Sequence, residues 1–325
     1  MSELPNLVDT ALASIGHSRT RKSPLRQAAI VNPVQDFLGR DGKGIRAELI
    51  QTSFQIAGGE GEPPKCVVEF VELLHAGSLV IDDIQDNSRN RRQQETMHLR
   101  YGVPLAINTG NWMYFAAIEL LAGIDLAPSA VLDIVKKSLG VIKQCHEGQA
   151  LDLTATFDEC SPIELPEVVR TIGESKTGAL TALATWLGGV AAGADASVCE
   201  QLAKFGMELG IGLQMQNDFV ELQKVAVSRC NSDDLRNRRC TWPWAWLAEV
   251  YPAEEVQRLA KLAREQLPEP QDAAQQILER IEIVAVNEIN QKLEGCLAEL
   301  NGFRIETDVH EKLNRIVATV ELNYV

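Results

Sequence analysis

Between positions 75 and 92 the chain concentrates side chains that handle anions and cations: His75, Asp82, Asp83, Asp86, Arg89, Arg91 and Arg92. On a helix Asp82 and Asp86 are i, i+4 neighbours and Asp83 stands three before Asp86, so three negative charges crowd one end of the rod. Like charges at that spacing cost a few tenths of a kcal/mol per pair unless they share a cation. Hard divalent ions, Mg²⁺ above all, are held by one or two carboxylates together with substrate phosphates. A solvated acidic helix end has the same composition, so the cluster alone leaves both readings open. His75 adds a second point of reference. It lies two helical turns before Asp82 on the same face, roughly 10 Å along the axis at ~1.5 Å per residue. With Arg91 and Arg92 following, the segment reads as two anion sites separated by the length of a small substrate.

The elements that carry these residues follow from periodicity. Nearly every segment of the 325-residue chain repeats its apolar residues at helical spacing, and almost none alternates as a strand does. Helical stretches are expected near 45–57, 65–86, 104–122, 130–151, 166–173, 176–193, 197–222, 242–266, 271–301 and 308–320. Breaks fall at the Gly- and Pro-rich segments 58–64, 102–104, 160–166 and 267–270. The connections are short and none has the composition of a linker. The expectation is an all-α chain, one large helical bundle forming a single domain over 1–325, with 1–24 as a loose N-terminal arm.

Composition narrows the function classes. With 45 acidic against 31 basic residues the net charge is -14, a field that repels nucleic acid and anionic membrane, so an anionic ligand has to be held locally. Seven scattered cysteines without a C-x-x-C pair argue against a disulfide framework or a zinc site and fit a reducing cytoplasm. No secretory signal is read at the N-terminus. The longest apolar stretch, 179–194, carries two threonines and reads as a buried core helix rather than a transmembrane segment.

The stretch HAGSLVIDDIQDNSRNRRQQETMHLRYG, 75–102, resembles the first aspartate-rich region of the trans-isoprenyl diphosphate synthases, departing at Gln93 and Glu95, where Gly and Pro are usual. Further pieces follow in order. GKGIRAEL at 42–49 is similar to the family's G-K-x-x-R-P element and EGQALDL at 147–153 to G-Q-x-x-D-L. SKTGAL at 175–180 is similar to its K-T pair, and DLRNRRCTWP at 234–243 to D-L-x-x-G-K-x-T-x-P, with Arg239 for Lys. The resemblance implies the isoprenoid-synthase bundle with a central substrate cavity, a homodimer, and Mg²⁺ as cofactor, with about three ions to a site. Its implied metal ligands are Asp82, Asp83, Asp86, Asn217, Asp218 and Glu221. Isopentenyl diphosphate falls to Lys43, Arg46, His75 and Arg92, and the allylic diphosphate to Arg91, Lys176 and Arg239, with Thr177 and Gln214 as further substrate-binding residues. Asp82, Asp83, Asp86, Lys176 and Asp218 are the implied catalytic set.

The second acidic motif departs from the family pattern. F-Q-x-x-D-D-x-x-D becomes LQMQNDFVE at 213–221, putting Asn217, Asp218 and Glu221 where three aspartates are usual. An Asn carbonyl still ligates a hard ion but brings no charge. The implied reaction is Mg-assisted ionisation of an allylic diphosphate and its condensation with isopentenyl diphosphate. In the family, bulky residues four or five places before the first Asp close the product tunnel; Gly77 and Ser78 stand there, which implies an open layer and a product of C20 or longer. Trp112, Met113, Tyr114 and Phe115 form either a floor to that tunnel or plain core. The altered second motif leaves alternatives: irregular head-to-middle coupling, terpene cyclisation, or a non-catalytic subunit of a synthase.

Overall fold

The computed structural model describes residues 7–14, 23–42, 44–228, 232–303, 305, 309, 311–313 and 315–316. Contacts divide the chain into two units, Met1–Gln51 with Gly59–Lys137, and Thr52–Gly58 with Ser138–Val325.

The first unit begins with α1 (Leu7–Ser14), α2 (Pro24–Arg26), a π-helical turn Gln27–Val31 and α3 (Asn32–Leu38). Then come α4 (Ile45–Ile56), of which the part to Gln51 belongs here, and α5 (Lys65–Gln85). A hairpin of β1 (Asn90–Arg91) and β2 (Gln94–Glu95) leads to α6 (Met97–Tyr101), α7 (Val103–Leu121) and α8 (Pro128–Thr154), the last entering this unit as far as Lys137. α5 buries Val67, Phe70, Val71, Leu74 and Val80, spacings of three and four residues that form one apolar stripe. That stripe lies on α7 at close range: a Cβ at Gly77 would stand 2.9 Å from the Gly110 carbonyl oxygen and 3.1 Å from Met113 Cβ. Gly102, at φ +83°, turns the chain into α7, and Pro104 sits in the first turn where its missing N–H costs nothing.

The second unit holds the rest of α8, α9 (Leu165–Gly173), a π-helical turn Glu174–Gly178, α10 (Ala179–Ala191) and α11 (Ala196–Ser228). It continues with α12 (Asp233–Arg236), α13 (Trp242–Val250), α14 (Ala253–Glu265) and α15 (Gln271–Ala298). Small residues bring α10 and α11 together, since a Cβ at Gly206 would lie 2.2 Å from Thr185 Oγ1 and one at Gly210 2.0 Å from Thr181 Oγ1. The threonine hydroxyls in that seam donate to carbonyls of their own helix, so no polar atom is stranded there. α13 buries Trp242, Trp244 and Trp246, and Trp244 stacks on Phe157 with ring centroids 4.3 Å apart.

The helices expected from periodicity form, with four differences. Helical segments also occupy 7–14, within the expected loose arm, and 24–38, 97–101 and 233–236, where none was expected. The stretch 242–266 is two helices, because Pro252 has no N–H to continue the first and biases Tyr251 to extended backbone. The stretches 166–173 and 176–193 run on through the π-helical turn without a break. Finally, residues 90–95 pair as a hairpin in a segment with no alternation to announce it. Of the helix expected at 308–320, Val309, Glu311–Leu313, Arg315 and Ile316 are described and helical. The apolar stretch 179–194 is a core helix with Leu180, Leu183, Ala184 and Leu187 buried. No helix among the described residues is long and apolar enough to cross a membrane.

Candidate active site

In the first unit the aspartates close α5. Asp86 is its C-cap and its N–H donates to the Asp82 carbonyl, so Asp82, Asp83 and Asp86 sit at the negative end of the helix macrodipole. The last turn of that helix holds no basic residue; a cation comes from the hairpin. Arg91 Nη2 and Nε reach Asp83 Oδ1 at 2.7 and 2.8 Å, and Nη2 lies 3.7 Å from Asp82 Oδ2. Burial opposes the guanidinium's charge, but Asp83 and Asp82 outweigh it and hold the pKa of Arg91 above its ordinary value.

The three aspartates are not equivalent. Asp82 keeps 28% of its side chain exposed, whereas Asp83 is fully buried. Burial pushes the Asp83 carboxyl up, Arg91 pulls it back, and Oδ2 has no hydrogen-bond partner. Asp83, one of the expected metal ligands, is thus buried with Oδ1 against Arg91, while Asp82 keeps exposed surface.

The hairpin also separates the two arginines. Asn90 pairs with Glu95 and Arg91 with Gln94, leaving Arg92 and Gln93 as a two-residue loop with φ +54° and +62°. Left-handed backbone at both loop positions is the type I′ turn, whose twist matches the strands it joins. Past that bend Arg92 points away from the aspartates: Nη1 donates to the Arg40 carbonyl at 3.2 Å and the guanidinium lies 5.6 Å from the centre of the Phe37 ring. It joins a second cationic group around Glu72, which accepts the Ala47 N–H at 3.1 Å and so ties the first turn of α4 to α5. Burial raises the Glu72 carboxyl, while Arg46 and Arg92 pull it down. His75, one turn on, is held well below its ordinary pKa by burial, with Arg46, Arg92 and Arg91 adding to the effect, so it is a neutral hydrogen-bonding imidazole at pH 7. Lys43 lies outside the described residues. Glu72 was missed from sequence; its place three residues before His75, on the same helical face, was the available signal.

Gly77, expected to leave an open layer, stands against α7. Its missing side chain is where α7 approaches α5, with the Gly110 carbonyl, Met113 and Tyr114 filling the space a larger residue would occupy. Ser78 Oγ donates to the His75 carbonyl at 2.8 Å. The run Trp112 to Phe115 is divided: Met113 is fully buried and Phe115 is 77% exposed.

In the second unit Asp152 on α8 gathers the cations. Its carboxylate accepts Lys176 Nζ at 2.6 Å and its carbonyl accepts Arg239 Nη1 at 2.8 Å. The π-helical turn carries Lys176 and Thr177, and Thr177 Oγ1 donates to Gln214 Oε1 at 2.7 Å. Gln214 Nε2 in turn donates to Asp218 Oδ1 at 2.6 Å, and the Trp242 backbone N–H to Asp218 Oδ2 at 3.1 Å. Burial pushes the Asp218 carboxyl up to about 7, with Glu221 and Asp152 adding to the rise and the two N–H donors opposing it. Glu221 accepts the hydroxyl of Ser232, whose oxygen also caps α12 by accepting the Leu235 N–H at 3.1 Å. Asn217 is half-buried one position before Asp218. Asp152 was overlooked as a site residue although it lies within the quoted EGQALDL segment.

The helices and this assortment of carboxylates, guanidiniums and a neutral histidine define a class: an all-α protein built to hold anionic groups beside acidic motifs. The chain belongs to the polyprenyl synthetase family, which it matches over residues 27–281. It is 32% identical over 240 residues to the geranylgeranyl pyrophosphate synthase of Penicillium crustosum, covering 73% of this chain and 67% of that one. To the geranylgeranyl pyrophosphate synthase of Geoglobus acetivorans it is 30% identical over 186 residues, 57% of each chain, so it spans little more than half the length of that relative. Solved structures share the fold: the heptaprenyl diphosphate synthase of Staphylococcus aureus (TM-score 0.79, 19% identity, 98% of this chain and 96% of that one). A polyprenyl synthase of Caulobacter crescentus CB15 complexed with calcium and isoprenyl diphosphate matches with TM-score 0.78 at 22% identity over 98% and 94% of the two chains.

Proposed function

We propose that this protein is a trans-prenyltransferase that condenses isopentenyl diphosphate with an allylic diphosphate to give a C20 product. The observation that carries the reading is the separation of Arg91 and Arg92 by one tight turn. One guanidinium serves the aspartates, and the other joins Arg46 and the neutral His75. Two anion-binding groups within one unit suit two diphosphates, and a cyclase with one allylic substrate has no use for the second. The geranylgeranyl synthases among the relatives support the C20 length.

The donor set suits a hard divalent ion. Asp82 and Asp86 stand at a negative helix end, and burial, with a smaller contribution from Glu221 and Asp152, raises the pKa of Asp218. Diphosphate oxygens and waters would share the coordination of such an ion with one or two carboxylates. Mg²⁺ bound by Asp82, Asp86, Asn217, Asp218 and Glu221 would neutralise the leaving diphosphate; two or three ions are consistent with that many oxygens.

The protein's own part is electrostatic. Arg91, Lys176 and Arg239 draw the allylic diphosphate and stabilise the charge that grows as its C–O bond breaks and the electron pair leaves with the diphosphate. Arg46, Lys43, Arg92 and His75 hold isopentenyl diphosphate with its double bond facing the allylic cation. The new C–C bond forms, and loss of a proton restores the alkene. Exposed Phe115 on α7 and Leu132 on α8 leave apolar surface on the first unit that a second copy would cover, as a homodimer requires. Product analysis with C5 to C20 allylic diphosphates, with and without isopentenyl diphosphate and Mg²⁺, tests the reading. The expected result is a C20 diphosphate only when both substrates and Mg²⁺ are present. A product formed from dimethylallyl diphosphate alone would establish irregular coupling instead.

A further inference from the structure

The second unit contains a cleft of about 460 Å³ that none of the residues assigned above occupies. Its apolar lining is Ile211, Met215 and Trp242. Around these stand four carboxylates, Glu174, Glu208, Glu288 and Glu299, against two cations, Arg170 and Lys292. Both cations are already engaged: Lys292 Nζ lies 2.6 Å from Glu208, and Arg170 pairs with Glu249. Glu174 and Glu299 have no side-chain ion pair or hydrogen bond among the described residues. The cleft thus presents uncompensated negative charge over an apolar surface. Two details mark it as receptive. Trp242 is only 5% exposed and its indole Nε1 donor has no partner among the described residues, which leaves a place for an acceptor on the ligand's body rather than for its ammonium. Gly295, on the α15 wall, has nothing within 4 Å of where a Cβ would be.

The cleft is connected to the second acidic motif by direct bonds. Trp242, one of its lining residues, donates its main-chain N–H to Asp218. Met215 lies on α11 three residues before Asp218, and Glu174 opens the π-helical turn that carries Lys176.

We propose that this cleft is a second ligand site, for a small organic cation with an apolar or aromatic body, and that occupancy acts on Asp218 through Trp242. Carboxylates select the ammonium, the apolar lining takes the body, and movement of the indole displaces the amide that holds the Asp218 carboxylate. Occupancy stands on the cleft alone; its effect on turnover rests on the proposed prenyl transfer.

Calorimetric titration of the full chain with benzylammonium, and with benzyl alcohol and benzoate as neutral and anionic probes of the same shape, tests the site. Benzylammonium is expected to bind saturably at one site per chain and at least about tenfold more tightly than either control. Gly295→Leu, which fills the cleft and replaces glycine by a better helix former, should abolish that binding without lowering Tm. Glu174→Gln combined with Glu299→Gln should weaken it while leaving the fold alone. Absence of saturable binding, equal binding of benzoate, or undiminished binding to Gly295→Leu overturns the site. In the transfer assay, saturating benzylammonium should change kcat about fivefold in wild type and not in Gly295→Leu; an unchanged kcat overturns the coupling. Should the chain transfer no prenyl group, the titration still decides the site, so the two failures are told apart.

Discussion

The two acidic motifs solve one problem, keeping carboxylates close together, in opposite ways. At the end of α5 the charges meet a counter-ion: Arg91 comes from a hairpin and neutralises Asp83, while Asp82 stays partly open to solvent. On α11 no cation among the described residues pairs with the central carboxylate. Asp218 is buried, accepts one N–H from Gln214 and one from the Trp242 backbone, and has its pKa raised. A guanidinium partner lets a buried carboxylate stay charged, whereas neutral donors only ease the cost of burying it. The first motif is thus ready for anionic substrate and cation together, and the second gains most from a cation arriving.

The largest test of that contrast is removal of each partner. Arg91→Ala leaves Asp83 buried without a counter-ion and should cost about 3 kcal/mol in urea unfolding. Gln214→Ala removes one neutral donor of two and should cost only about 1 kcal/mol. Equal losses would mean the two sites are held in the same way. Next in size, Asn217→Asp adds a charge to the motif that lacks one, and should lower the Mg²⁺ concentration for half-maximal transfer about tenfold. A rise in that concentration would show that the second motif tolerates no further negative charge and would remove the asymmetry.

A smaller effect is expected at the hairpin that delivers Arg91. Gln93 holds φ +62° with a full side chain, so Gln93→Gly should stabilise the protein by up to about 1 kcal/mol in thermal melts, unless glycine's unfolded-state entropy cancels the gain. The smallest effect serves as a surface control. Arg258 and then Arg280 hold Glu255 down to about 2 from an ordinary 4.5. A depressed carboxyl contributes stability that is present above pH 4.5 and lost as pH falls towards 2, so Glu255→Gln should flatten the acid limb slightly in that window. The variant should therefore be slightly less stable than wild type near neutrality and converge with it as pH falls towards 2; a difference that persists unchanged at low pH would contradict the assignment.

Legibility from sequence followed the range of the interactions. The spacing of Val67, Phe70, Val71 and Leu74 announced α5, and the same arithmetic placed His75 and Asp82 on one face. Family motifs brought Lys176, Thr177 and Gln214 into one list, and they prove to be neighbours: Thr177 bonds Gln214, which bonds Asp218. The hairpin escaped notice because its loop, Arg92–Gln93, contains none of the Gly or Asn that normally signals a type I′ turn. Gly77 shows the same limit: an absent side chain says nothing of its surroundings, and only the partner helix shows what stands beside it.

The amino-acid order by itself determined the helical class, the breaks at Gly and Pro, and which residues carry charge, because these depend on neighbours within a few positions. Tertiary structure decided which aspartate is buried, which arginine serves it, that Asp152 gathers Lys176 and Arg239, and that Trp242 holds Asp218. Those pairings join residues 8 to 87 positions apart, and the burial that sets their protonation comes from packing no local pattern encodes.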